Sequence, residues 1–268
     1  MASYAITGAS RGIGLEFVRQ LAANENNTVL AIVRNPESQA ISELAASSPN
    51  VHAIKGDVTD PKSILDAASA AAAITGGKLD VLIHNSNAVD VATVGLSPSQ
   101  IPVDTEATRK SFEPSLYTGV YGSLWATNAF LPLIEKGGQK KIVHISSGMA
   151  DFGLIRKAGI TYGVGYSAAK AAMNVQVAKY AVELAPKGIK VLALSPGWVD
   201  TWDMGEKPAE VVQATSGMLS LFRAVEPELK GQIQPEESVR KCLQVIRDLD
   251  AESSGMFLSH NGNQTNWF

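Results

Sequence analysis

Thr7-Gly8-Ala9-Ser10-Arg11-Gly12-Ile13-Gly14 stands between a short apolar run, Ser3 to Thr7, and an amphipathic segment that begins at Leu15. That succession reads as strand, glycine turn, helix. Gly8 permits the tight turn, Gly12 lets a diphosphate approach the backbone, and Gly14 lets the helix pack close to the strand. The unpaired N–H groups where the helix starts attract an anion. Gly8, Ser10, Arg11, Gly12, Ile13 and Gly14 are therefore the expected phosphate cradle. A glycine triplet alone is weak evidence, but here both flanking elements have the right character.

Working outward, β-branched apolar runs recur at Tyr4 to Thr7, Thr28 to Val33, Val51 to Ile54, Val81 to His84, Lys141 to Ile145, Lys190 to Leu194 and Met256 to Ser259. Between them lie stretches of helical apolar spacing, such as Leu15, Val18 and Leu21, or Ile64, Leu65 and Ala68. Such alternation predicts a doubly wound parallel sheet with right-handed crossovers and helices on both faces. The expected fold is α/β, a single-domain Rossmann fold over residues 1–268 with a seven-stranded parallel sheet. Ligands of such sheets bind beyond the carboxyl ends of the strands, so the residues just after each run matter most. Two irregular stretches, 148–165 and 203–231, are the expected substrate loops, the second carrying Met204, Met218, Leu219, Leu221 and Phe222.

Composition narrows the function. With 268 residues, 45% of them hydrophobic, the chain can bury a large core. A formal net charge of -3 and scattered Lys and Arg leave no basic stripe to follow nucleic acid. No apolar run approaches a bilayer span and no signal-peptide pattern opens the chain, which predicts a soluble, cytoplasmic protein. Cys242 is the only cysteine and its setting, Cys-Leu-Gln-Val-Ile, predicts core packing. The four histidines show no metal-ligand spacing, so no metal is expected.

The second run ends in Val33-Arg34-Asn35, with no acid at its tip for ribose hydroxyls. Arg34, together with Arg11, can instead pair with a 2′-phosphate through charge-assisted hydrogen bonds, which favours NADP(H) over NAD. The alternative is that both arginines are solvated surface charges. After the third run, Asp57 and Val58 are placed to meet an adenine ring. Asp57 has the competing role of helix cap before Pro61, which Asp60 fits better.

The glycine pattern, joined to Tyr166-Ser167-Ala168-Ala169-Lys170, resembles the short-chain dehydrogenase/reductase family across essentially the whole chain. The ending Ser254-Gly255-Met256-Phe257 and Trp267 is similar to carbonyl reductases of the sniffer and C-factor type, which include fungal ketoreductases of the norsolorinic acid kind. Carbonyl reduction by hydride needs a proton donor at the oxygen, and a tyrosine serves if its ordinary pKa near 10 is lowered. Lys170 follows Tyr166 by four residues, on the same helical face, where a cation favours the phenolate. Tyr162 has no such lysine and is the expected pocket wall. The resemblance implies that Lys170 also holds the nicotinamide ribose and that Ser147 orients the carbonyl, with Ser146 as the fallback. It implies too that Asn85, Pro196, Gly197, Val199 and Thr201 contact the cofactor and that Asn35 borders it. The stretch from Ser147 to Tyr166 is longer than the family spacing, which predicts an inserted loop and a bulky or aromatic substrate.

Two departures stand out. The family's Asn-Asn-Ala-Gly turn reads His84-Asn85-Ser86-Asn87, where Asn87 can tolerate a left-handed backbone. Registering Gly122 and Pro132 on the family helix places Gly119 where a catalytic asparagine usually stands. The expected activity is NADPH-dependent reduction of a ketone or aldehyde, with an isomerase, dehydratase or cyclase, or a weakly active dinucleotide sensor, as alternatives. The resemblance also implies a homodimer or homotetramer paired through the helices of Gly122 to Ile134 and Tyr166 to Leu184.

Overall fold

Apolar side chains alternate along the strands and supply two separate cores. Ile6, Val29, Ala31 and Val33 point to one face of the sheet, while Ala5, Leu30 and Ile32 point to the other. A strand buried on both faces must be covered by helices twice, which is the condition for a doubly wound sheet. The computed structural model describes residues 1–203 and 205–268; Met204, expected in the second substrate loop, lies outside the described residues.

Seven parallel strands form one sheet in the order β3-β2-β1-β4-β5-β6-β7. They are β1 (Ser3–Thr7), β2 (Thr28–Val33), β3 (Val51–Lys55), β4 (Val81–His84), β5 (Lys141–Ile145), β6 (Lys190–Ser195) and β7 (Phe257–Ser259). The sequence placed each within a residue or two, as expected where short β-branched runs are cut by turn residues.

Helices α1 (Gly12–Ala22), α2 (Gln39–Ser47) and α9 (Pro235–Asp248) cover one face, with Phe17, Ile41 and Cys242 fully buried. On the other face lie α3 (Pro61–Thr75), α5 (Gly122–Ile134) and α7 (Val164–Leu184), packed through Ile64, Phe130 and Val177. Asp60 caps α3 by accepting from the Lys62 N–H, so Asp57 is released from that role. Helix α4 (Thr105–Leu116) runs into α5 through a π-turn, Tyr117–Tyr121, that contains Gly119.

The two stretches read as irregular contain helices. In 148–165, α6 (Phe152–Ala158) starts at Asp151, whose carboxylate accepts from the Leu154 N–H, and stops at Gly159 in the left-handed region. In 203–231, α8 (Ala209–Phe222) buries Phe222 against Trp267 and Leu154. That third cluster draws on the far end of the chain, so local spacing carries little sign of it.

Candidate active site

The strand order reverses between β1 and β4, and the crevice there opens beyond their carboxyl ends. Gly8 and Gly12 have φ of 66° and 54°, a region that costs L side chains steric strain. A Cβ on Gly14 would strike the Gly8 carbonyl oxygen and come 2.5 Å from Asn85 Nδ2. Asn85 fixes this approach by donating its amide to the Gly8 carbonyl at 3.1 Å. The residues thus fit a diphosphate lying over the loop: the backbone is bare on top and locked underneath.

From this cradle a groove of about 600 Å³ runs along the strand ends. It brings together Gly8, Ser10, Arg11, Gly12, Ile13, Arg34, Asp57, Val58, Asn85, Tyr166, Lys170, Pro196 and Thr201. Gly14 lies beneath, and Asn35 falls outside, its side chain accepting from the Glu37 N–H at 3.1 Å. Arg11 and Arg34 are exposed and form no ion pair among the described residues. Asp57 Oδ1 accepts from the N–H and hydroxyl of Thr59, at 2.9 and 2.7 Å. Sequence reasoning missed Thr118 and Trp202, which also line the groove, as does Asp203 at the start of the expected second substrate loop. Thr118 is delivered by the π-turn, which had no signature in the sequence.

At the inner end, Tyr166 stands at the junction with a second cavity of about 270 Å³, which Ser147 also lines. Burial pushes the Tyr166 phenol above its ordinary value, and a hydrogen bond with Ser147 pulls it partly back. Ser146 is otherwise engaged, donating to Asn174 Oδ1 at 2.7 Å. Lys170 Nζ donates to the Ile145 carbonyl at 2.6 Å and lies 5.8 Å from the centre of the Tyr166 ring. Burial pushes its ammonium down to about 8. The expected lowering of the phenol by Lys170 is therefore not what the protein groups alone produce; desolvation outweighs a cation aimed at a carbonyl.

The second cavity holds Gly197, Val199 and Thr201 of the expected nicotinamide segment. Its walls are Met149, Leu154, Trp198, Met218, Phe222, Trp267 and Phe268, with Trp198 and Phe222 edge to face at 5.0 Å. Tyr162 packs against the same cluster, and burial pushes its phenol up to about 12. Of the altered turn, Asn87 keeps a negative φ, since Lys140 is the sole non-glycine described with a positive one. Its tolerance of left-handed geometry is not used. A larger hollow of about 1040 Å³ lies at the amino ends of β5 and β6 and shares no lining residue with the groove or the second cavity.

A doubly wound sheet, a glycine cradle and a Ser, Tyr and buried Lys beyond the strand ends define an oxidoreductase scaffold built around a nicotinamide dinucleotide. The family model described as short chain dehydrogenase matches residues 3–211, and the chain belongs to that family. It is 42% identical over 270 residues to the short-chain dehydrogenase/reductase atnB of Arthrinium sp, with 100% of both chains covered. The crystal structure of NADPH-bound carbonyl reductase from chicken fatty liver is similar, with a TM-score of 0.78, 28% identity, and 100% of this chain and 99% of that one covered. Carbonyl reductase Sniffer of D. melanogaster shares the fold, with a TM-score of 0.78, 23% identity and 100% of both chains covered. Among the described residues no helix is long and apolar enough to cross a membrane.

Proposed function

We propose that the chain is an NADPH-dependent reductase of a bulky or aromatic ketone or aldehyde, working as one domain over residues 1–268. The observation that carries the proposal is the place of Tyr166 between the dinucleotide groove on one side and, on the other, an aromatic cavity that Ser147 also lines. The NADPH-bound carbonyl reductase of similar fold supports the choice of cofactor. The unpaired Arg11 and Arg34 beside Val33 supply a site for a 2′-phosphate.

When bound, the reduced nicotinamide supplies the hydride. The protein does the rest. Gly8 to Gly14 seat the diphosphate, Asp57 accepts from the adenine amino group, Val58 borders the ring, and Asn85 braces the cradle. Pro196, Gly197, Val199 and Thr201 hold the carboxamide end, and Lys170 reaches the ribose hydroxyls. Ser147 donates to the substrate carbonyl oxygen, and Tyr166 gives its proton there as negative charge develops. A phenol held above its ordinary value is protonated at neutral pH, as a donor must be. The aromatic walls exclude water and offer flat surfaces for stacking. At about 270 Å³ the cavity suits one compact ring system better than a long chain.

A place in secondary metabolism is proposed from the resemblance to fungal ketoreductases. A homodimer or homotetramer is proposed through α5 and α7, where Val175 and Val182 stand exposed; sedimentation showing only monomer would refute it. The test of the activity is a panel of carbonyl compounds rich in aromatic ketones, with NADPH consumption and alcohol measured together. Tyr166→Phe is expected to abolish reduction and preserve NADPH affinity, and unchanged turnover removes Tyr166 from the mechanism. Product without cofactor consumption means isomerisation, and binding without product means a sensor.

A further inference from the structure

The two departures from the family pattern meet in space. Thr118, the residue before Gly119, offers its carbonyl to His84 Nε2 at 3.1 Å. A carbonyl only accepts, so Nε2 carries the proton and Nδ1 is bare. Nδ1 then accepts from the Thr7 hydroxyl at 3.2 Å. The Thr7 oxygen in turn accepts from the N–H groups of Asn85 and Ser86, at 3.1 and 3.3 Å. Every polar atom of this fully buried ring has a partner, and one imidazole ties together the ends of β1 and β4 and the π-turn.

The turn needs such a tie. A π-turn inserts an extra residue into a helix, and such turns gather at functional sites. Gly119 has no side chain to anchor it and a backbone freer than that of any other residue. Its far side faces α7: a Cβ at position 119 would meet only the Ala169 Cβ, at 3.9 Å, next to Lys170. Further bonds run from the loop after β4 to the same helices, from the Ala88 N–H to Thr118 Oγ1 at 3.1 Å and from Ser115 Oγ to the Ala88 carbonyl at 2.8 Å. The titratable groups acting on His84 are His144 from β5, with ring centres 5.7 Å apart, and Lys170 from α7. Burial, His144 and Lys170 all hold the His84 pKa well below the ordinary value, so this neutral tautomer persists through neutral pH.

We infer that His84 is a positioning residue that stands in for the side chain missing at Gly119. By gripping the Thr118 carbonyl it fixes the wall that α7 presents Lys170 against, so the two departures are one coupled change. The inference rests on the reading of Tyr166 and Lys170 as proton donor and partner.

Asparagine and glutamine separate the two ends of the ring: His84→Asn keeps a group near Thr7 but falls short of Thr118, whereas His84→Gln reaches Thr118. In the NADP-bound protein the titration of Tyr166 is read from tyrosinate absorbance, each protein against its Tyr166→Phe counterpart, alongside kcat and KM. His84→Asn is expected to lower kcat about tenfold at nearly constant KM and to displace the Tyr166 titration. His84→Gln should stay near the parent. Adding Gly119→Asn to His84→Asn should restore most of kcat and the titration midpoint. Additive effects in the double variant overturn the inference, as does equal loss in the Asn and Gln variants together with lowered thermal stability. Should no carbonyl compound turn over, the titration still decides: a midpoint displaced in His84→Asn and restored in the double variant upholds the coupling while the proposed reduction fails. A midpoint that stays fixed overturns the coupling itself.

Discussion

Lys170 is buried, donates to the Ile145 carbonyl at 2.6 Å, and forms no ion pair among the described residues. Desolvation brings its ammonium from the ordinary 10.5 down to about 8. At about 1.4 kcal/mol per pH unit, keeping that charge inside the fold costs about 3 kcal/mol at neutral pH. Lys170→Met removes the charge and keeps much of the volume. It also strips the Ile145 carbonyl of its donor, which takes back about 1–2 kcal/mol. The net expectation is a variant about 1–2 kcal/mol more stable than the parent at neutral pH and without reductase turnover.

The pH dependence gives the sign away. Below about 8 the lysine is charged in both folded and unfolded chains, so the gap between variant and parent is constant. Between about 8 and 10.5 the unfolded chain binds a proton that the folded chain has released, so parent stability climbs with pH. The variant lacks this climb, and its advantage shrinks through that window until the lost hydrogen bond leaves it the weaker protein. Urea unfolding of both proteins from about pH 7 to about pH 11 measures the difference, since all other titrating groups are shared. A variant less stable at neutral pH, or a difference that stays flat through the window, refutes the burial argument. A stabilising loss of function would show that the site holds this charge against the fold's own preference.

The cofactor and cradle assignments can be tested separately. Arg34→Asp is expected to weaken NADPH binding at least tenfold, about 1.5–3 kcal/mol, with NADH affected little, by calorimetry. Equal loss on both cofactors would count against a 2′-phosphate contact. Gly14→Ala should cost about 1–3 kcal/mol of stability and most of the NADPH affinity, because the added carbon strikes the Gly8 carbonyl and crowds Asn85 Nδ2. Unaltered thermal unfolding and cofactor binding in that variant would mean that the helix can move away from the strand.

Much of this architecture was legible because local chemistry and long-range packing agree. The Ser3–Thr7 strand, the glycine turn and the helix from Gly12 each carry their own signal, and the structure places them in succession. Met256 was read as strand; its carbonyl does accept from the Ala193 N–H, although β7 begins at Phe257. Helix α6 went unread although Asp151 and Gly159 bracket it, because seven residues are too few to display a helical period. Helix α8 is anchored by Phe222 on Phe268, with ring centres 4.6 Å apart, a contact no local window contains. Arg34 and Tyr166 were legible as residue types. The aim of the Lys170 amine at a strand carbonyl, and the grip of His84 on Thr118, depend on directions that spacing does not encode.

Burial acts oppositely on the two central groups, and this sets an expected direction for the chemistry. It raises the Tyr166 phenol and lowers the Lys170 ammonium to about 8, so at neutral pH both carry their protons. That is the arrangement for donating to a substrate oxygen, with a cation beside the phenolate as it forms. Reduction is therefore expected to hold level through neutral pH and to fall as the medium passes about 8, where Lys170 loses its charge. The buried imidazoles add no break on the acid side near neutrality, since His144 sits at about 3 and His84 is well below its ordinary value. Oxidation of the corresponding alcohol needs the phenolate, which burial holds back beyond the ordinary tyrosine value, so it should not rise over the range in which Lys170 loses its charge. Initial rates in both directions across pH measure this. A reduction rate that climbs through pH 8 and beyond would mean that Lys170 is not the group whose charge supports Tyr166.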